Sequence, residues 1–137
     1  MKTYQPKKRE IKRSWHLLDA KDQILGRLAA KTSQLLMGKH KVSYSTHMDS
    51  GDNVVIINCE KVKLSGKKNE SKIYVSHSGY PGGYKETKIQ KLRKENPERI
   101  LEKAIYGMLP ANRLRSNRMN RLFLIKGDKN KYENKFK

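Results

Sequence analysis

Apolar residues in this chain come in short runs parted by polar, basic stretches, and their spacing alternates between a strand period and a helix period. Trp15-His16-Leu17-Leu18-Asp19 reads as a short strand. Leu25, Leu28, Ala29, Thr32, Leu35 and Leu36 then recur at i, i+3, i+4 and i+7, the stripe of one helix face, with Gly38 as a natural stop. Val54-Val55-Ile56-Ile57 is a continuous β-branched run, as a strand covered on both faces requires. Ile73-Tyr74-Val75 predicts a further strand, and a short helix carries Ile89 and Leu92. Asn96-Pro97-Glu98 marks a helix start: an Asn cap, Pro at the first helical position and an acid at the positive end of the dipole. That helix buries Ile100, Leu101, Ala104, Ile105 and Met108 before Pro110 ends it, and Leu122-Phe123-Leu124-Ile125 supplies the last strand.

Strands alternating with helices favour right-handed crossovers and a mostly parallel sheet with helices on both faces. The expected fold is therefore α/β, a three-layer α/β/α sandwich. Residues 1–13 and 127–137 lack the apolar periodicity that packing needs and are rich in Lys and Arg, so they read as a basic N-terminal arm and a basic C-terminal tail, mobile until bound, around a domain over 14–126.

Charge narrows the function. Lys and Arg number 32 against 13 Asp and Glu, a net +19 on 137 residues. Such a density repels itself in an isolated domain and points to a polyanionic partner, nucleic acid first. The apolar share of 35% predicts a small core. Nothing resembles a membrane span of about 18 apolar residues, and the start MKTYQPKKREIKRSW has no apolar core of a secretory signal. The lone Cys59 rules out an internal disulfide and a CxxC zinc site.

The densest binding element is residues 111–121, with Arg113, Arg115, Arg118 and Arg121, three Asn and no acid. Arg matches phosphate oxygens with a planar fork and stacks on bases. On a helix, Arg115, Arg118 and Arg121 would share one solvent-accessible face, either bound to RNA or merely solvated. Residues 78–84 place three Gly and a Pro between aromatics, so Tyr80 or Tyr84 could stack on unpaired bases, although an ordinary surface turn fits equally. Gly38-Lys39-His40-Lys41 follows a helix rather than preceding one, which makes it a cap with positive charge suited to RNA phosphate and not a nucleotide loop. Lys7, Lys8, Arg9 and Arg13 in the arm, Arg27 on the first helix, and Lys67 and Lys68 complete the candidate RNA contacts. His47, Asp49 and Asp52 could tempt a metal or hydrolase assignment. A turn whose Asp side chains bond the local backbone is the better reading, with no catalytic residue, metal or cofactor expected.

Several segments together carry a resemblance. Residues 15–19, Ile24-Leu25-Gly26-Arg27-Leu28-Ala29, Gly38-Lys39-His40-Lys41, His47-Met48-Asp49-Ser50-Gly51-Asp52, Gly79-Tyr80-Pro81-Gly82-Gly83, Asn96-Pro97-Glu98-Arg99 and Tyr106-Gly107-Met108-Leu109-Pro110 follow one another in an order that resembles the bacterial-type ribosomal protein L13 family over about 14–126. The resemblance implies an α/β/α fold with a four-stranded parallel sheet, contact with large-subunit rRNA and neighbouring large-subunit proteins, a role in early subunit assembly, and no enzymatic activity or small-molecule substrate. Family members often end in a His- and Gln-rich tail, whereas this chain ends Asp128-Lys129-Asn130-Lys131-Tyr132-Glu133-Asn134-Lys135-Phe136-Lys137. Location on the large subunit in a bacterial cytoplasm or a plastid stroma follows from the same likeness. Two other classes compete: a regulatory RNA-binding protein acting off the ribosome, and a nucleic-acid enzyme built on His47, Asp49 and Asp52.

Overall fold

The structure, a computed structural model, describes residues 4–136; Lys2 and Lys137, expected in the basic arms, lie outside them. Among the described residues, five strands and five helices follow in the order β1 (Trp15–Asp19), α1 (Leu25–Met37), β2 (Asn53–Ile57), α2 (Lys68–Ser71), β3 (Ile73–His77), β4 (Tyr84–Lys88), α3 (Ile89–Glu95), α4 (Glu98–Met108), α5 (Arg115–Met119) and β5 (Leu122–Leu124). Single 3-10 turns lie at Lys8–Glu10, Cys59–Lys61 and Glu133–Lys135.

The parallel sheet is real but smaller than expected. It has three strands in the order β1-β2-β5, with Leu17 opposite Val55 and Val55 opposite Phe123. β2 is central, which explains its unbroken β-branched run: Val54, Val55 and Ile56 are all fully buried. The predicted strand at 73–75 does not join this sheet. It pairs antiparallel with β4, a strand the hydrophobic pattern did not reveal, to make a separate two-stranded ribbon. Only residues 78–83 connect the two, hairpin length, whereas a parallel crossover needs a dozen residues or more. The main sheet is thus not four-stranded.

Alternation along the strands separates two faces. Leu18, Val54, Ile56, Leu122 and Leu124 merge into one core with Leu28 and Leu36 of α1, Ile89 of α3 and Ile100, Leu101 and Ile105 of α4. On the other face Trp15 and Phe123 stack at 5.3 Å between ring centroids, and the C-terminal segment covers them: Tyr132 lies 4.6 Å from Phe123 and 5.8 Å from Trp15, and Phe136 meets Trp15 edge-on at 6.2 Å. The tail expected to lack packing therefore lays two aromatics on the sheet. One 3-10 turn between them brings both rings to the same side.

The first helix follows the predicted stripe and adds Ser33 and Met37 to its buried side. Its two buried hydroxyls are satisfied within the helix, Thr32 donating to the Leu28 carbonyl at 2.8 Å and Ser33 to that of Ala29 at 2.7 Å. Gly38 ends it with φ +78°, where its N–H and that of Lys39 close on the Gln34 carbonyl. In α4 the helix begins at Glu98, one residue later than the Pro97 expected, with Pro97 already holding helical angles.

Candidate nucleic-acid interface

The loop between α1 and β2 runs from Lys39 to Asp52, and its two carboxylates organise this end of the molecule. Asp52 has a fully buried carboxylate. Its Oδ1 accepts the Ser14 backbone N–H at 3.0 Å and the Lys41 ammonium, while Oδ2 lies 2.8 Å from His16 Nε2 and 2.9 Å from His40 Nε2. An ionised carboxylate only accepts, so both imidazoles donate through Nε2. Burial is the largest single influence on Asp52 and pushes its carboxyl up. Lys41, the Ser14 N–H and His16 together outweigh it and hold the group below the usual value of 3.8. Asp49 ties the same loop to the far end of the chain. Arg121 clasps it with both terminal nitrogens, Nη2 lying 2.6 Å from Oδ1, and donates further to the carbonyls of Leu36 at 2.9 Å and Asp52 at 3.3 Å.

These contacts correct several sequence expectations. Asp49 and Asp52 do not bond their own local turn; they reach across the chain to Arg121, Ser14, His16, His40 and Lys41. Ligating atoms of His16, His40 and Asp52 converge within 4.8 Å, a metal-like cluster, but the Lys41 ammonium already supplies the cation on that carboxylate. Lys41 also donates to the carbonyls of Lys12 at 2.8 Å and Ser50 at 3.0 Å, so it faces inward rather than toward a ligand. His47, the third member of the tempting group, is exposed and bonds Ser45 at 2.6 Å.

The shared arginine face does not form. Helix α5 is only five residues long, and the chain turns after Asn120 so that the Arg121 carbonyl accepts the Val54 N–H at the edge of the sheet. Arg118 and Arg121 are 1% and 6% exposed. Arg115 is half-buried, its guanidinium 4.4 Å above the Tyr106 ring and bonded to the Leu109 carbonyl at 2.9 Å. Arg113 alone of the four stays exposed.

Other candidates remain on the surface: Lys7, Lys8, Arg9, Arg27, Lys39, Lys67, Lys68, Tyr80 and Tyr84 are all exposed, and Arg13 is exposed while reaching Asp49 at 3.7 Å. Two adjoining cavities bring some of them together. One, of about 420 Å³, places Arg27 beside Lys68 and Lys72; the other, of about 330 Å³, places Lys39 beside Tyr44, Asn112 and Arg118. Met108 lines both, and no acidic side chain lines either. Asn112 belongs to the basic stretch already expected to bind, whereas Lys72 and Tyr44 were not expected as contacts, because nothing in their local pattern marks which loops meet. The hairpin tip stands apart, with Tyr80 at 76% exposure. Tyr84 donates its hydroxyl to Glu86 on the same face of the ribbon.

The family model described as ribosomal protein L13 matches residues 13–131. The chain belongs to this family. Relatives of L13 carry the likeness over nearly the whole length. A large ribosomal subunit protein uL13 from Kocuria rhizophila is 50% identical over 127 residues, covering 93% of this chain and 86% of the relative. The protein of that name from Nitratidesulfovibrio vulgaris is 48% identical over 127 residues, 93% and 88% of the two chains, and that from Pelotomaculum thermopropionicum 48% over 134 residues, 97% and 93%. Membership of L13 makes the chain a structural constituent of the ribosome, not an enzyme. Among the described residues no helix is long and apolar enough to cross a membrane.

Proposed function

We propose that this chain is a structural component of the large ribosomal subunit that binds large-subunit rRNA through a basic track and, by holding RNA segments in place, supports early subunit assembly. One observation carries the reading: the two cavities that meet at Met108 gather Arg27, Lys68, Lys72, Lys39 and Arg118 with no acid among their linings, on a chain of net charge +19. Phosphate contacts of this kind position an RNA without reading its sequence. Arg113, Arg115 and the arm residues Lys7, Lys8, Arg9 and Arg13 extend the basic surface, and Tyr80 and Tyr84 at the ribbon offer stacking faces for unpaired bases. His40 and Lys41 serve this surface indirectly, by bracing the loop that presents Lys39. The ribbon's exposed Ile73 and Val75 are suited to a neighbouring subunit protein. The bacterial relatives favour a bacterial cytoplasmic ribosome over a plastid one.

The double variant Arg27→Glu, Lys68→Glu tests this, because both side chains are exposed and the fold does not need them. It is expected to melt normally but to bind protein-free large-subunit rRNA at least tenfold more weakly and to co-sediment poorly with large subunits from lysate. Wild-type affinity in the variant would contradict the track. Wild-type protein that binds RNA but never co-sediments with large subunits would favour the regulatory alternative.

A further inference from the structure

We infer that the cavity around Arg118 is a phosphate socket: Arg118 is the buried anchor for one backbone phosphodiester of the bound RNA, with Lys39 at its mouth. The inference rests on the rRNA-binding reading above and specifies one subsite within it.

The decisive feature is a buried guanidinium with idle hydrogen-bond donors. Arg118 is 1% exposed, yet its Nε and Nη1 are shut off from solvent and have no hydrogen-bond acceptor. Its nearest acid is Asp49, whose Oδ1 lies 3.8 Å from Nε, beyond hydrogen-bond reach. Both oxygens of that carboxylate are already engaged by Arg121. Idle donors on a buried cation are costly, and since both are sealed from solvent, a small turn of the side chain toward the cavity it lines is what would let an anion there satisfy them. Arg121, only three residues on, shows the contrast: it is buried in the same region with a bidentate carboxylate and three carbonyls.

The surroundings suit an oxyanion of an RNA chain. Arg118 lines the 330 Å³ cavity together with the polar groups of Lys39, Tyr44, Thr46 and Asn112. That volume sits at the small end of ligand pockets. Lys39 is exposed and makes no ion pair among the described residues, so the cavity joins a fixed deep cation to a mobile outer one. Met37, Met108 and Pro110 supply the apolar side of the lining, which suits the sugar or base flanking the phosphate. Met108 also lines the cavity holding Arg27, Lys68 and Lys72, so a strand following the basic track would pass from that cavity to the one lined by Arg118.

Binding of the full-length chain to protein-free large-subunit rRNA, measured across a salt series, tests the socket with Arg118→Met and with Lys39→Ala. Arg118→Met keeps the buried volume apolar and removes the idle charge. It is expected to melt at or above the wild-type temperature, to bind about tenfold more weakly, and to shrink the log-log salt slope by roughly 0.7 to 0.9, one phosphate contact. Lys39→Ala should weaken binding in the wild type and have less effect once Arg118 is Met. Normal melting with wild-type affinity and slope in Arg118→Met would overturn the socket. If Arg118→Met does not fold, Lys39→Ala combined with Asn112→Ala decides instead: loss of affinity supports the socket and unchanged affinity overturns it. Inorganic phosphate is the control ligand. An Arg118-dependent rise in melting temperature with phosphate, but no change in rRNA affinity for the variant, would assign the cavity to a free anion and overturn the RNA assignment. Wild-type protein that fails to bind the rRNA at all overturns the broader reading first, a result distinguishable from failure of the socket alone.

Discussion

Gly51 lies so close to the C-terminal end of α1 that a Cβ there would sit 1.7 Å from the Leu36 carbonyl oxygen and 2.8 Å from Arg121 Nη2. No side chain can occupy that space while the carbonyl accepts from Arg121. Gly51→Ala is therefore expected to destabilise the fold by about 3 kcal/mol, read as a shift of the urea midpoint. Its neighbour Asp52 concentrates more energy. Removing the carboxylate in Asp52→Ala strands Lys41 and leaves the Ser14 N–H without its acceptor, at a cost of roughly 3 to 5 kcal/mol. The folded carboxyl titrates below its ordinary 3.8, so its contribution is fully present above that pH and is lost as pH falls through the lower folded value. Stability should thus decline on acidification below pH 3.8 more steeply in the wild type than in Asp52→Asn; equal slopes in urea titrations would show that the cluster contributes nothing. Cys59 gives the opposite sign. Burial raises its thiol from 9.0 to about 11, so its contribution is intact below pH 9 and fades as pH rises toward 11. The folded protein should resist thiol alkylation at pH 8 and react on addition of denaturant.

At the scale of elements, the C-terminal segment and the β3–β4 ribbon behave contrary to what their composition suggests. A stretch with Lys129, Lys131 and Lys135 looks like a solvated tail, but Tyr132 and Phe136 turn it into a cover for the second face of the sheet. Trp15 is the only tryptophan and lies under that cover, so its emission reports docking directly. Tyr132→Ala is expected to red-shift the Trp15 emission and cost about 1 to 2 kcal/mol; an unchanged spectrum would mean the tail does not rest there in solution. The ribbon has the reverse character. Its strands expose Ile73, Val75 and Tyr84, and a lone two-stranded ribbon is marginal in water. One end is nevertheless tied down, since the Ile89 N–H donates to the Lys72 carbonyl at 3.0 Å and Lys103 sits over the Tyr74 ring at 4.7 Å. Amide exchange should be fast at the 78–83 tip and slower toward Ile73 and Lys88.

For the whole molecule, the net +19 dictates a steep salt response. If about six phosphates are neutralised, each contributing roughly 0.7 to 0.9, the log-log slope of rRNA affinity against salt should be about −4 to −5. A nearly flat dependence would rule out a phosphate-dominated interface. The measured slope has an upper limit set by the fold, because Lys41 and Arg121 are consumed by Asp52 and Asp49 and release no counterions to RNA. Net charge counts them; the interface does not.

Periodicity and punctuation carried much of the architecture. The α1 stripe with Gly38 behind it, the buried run of β2, and a helix start within one residue of Pro97 are local properties, legible because backbone angles and amphipathic spacing act over a few residues, although Pro97 rather than the expected Asn96 is the cap. The order of L13-like segments likewise located the family from sequence alone. Partner choice over long separations was not legible. Arg121 has the same chemistry as Arg113 and lies on the same basic stretch, and only the approach of Asp49, 72 residues earlier in the chain than Arg121, gives it a carboxylate to pair with inside the fold. The register of residues 73–75 was equally open, since an apolar run fits a parallel or an antiparallel partner, and the short 78–83 connection selects the second. Tertiary structure decided which charges are spent inside and which face a ligand, because burial and Coulomb energy depend on distances that the order of residues does not contain.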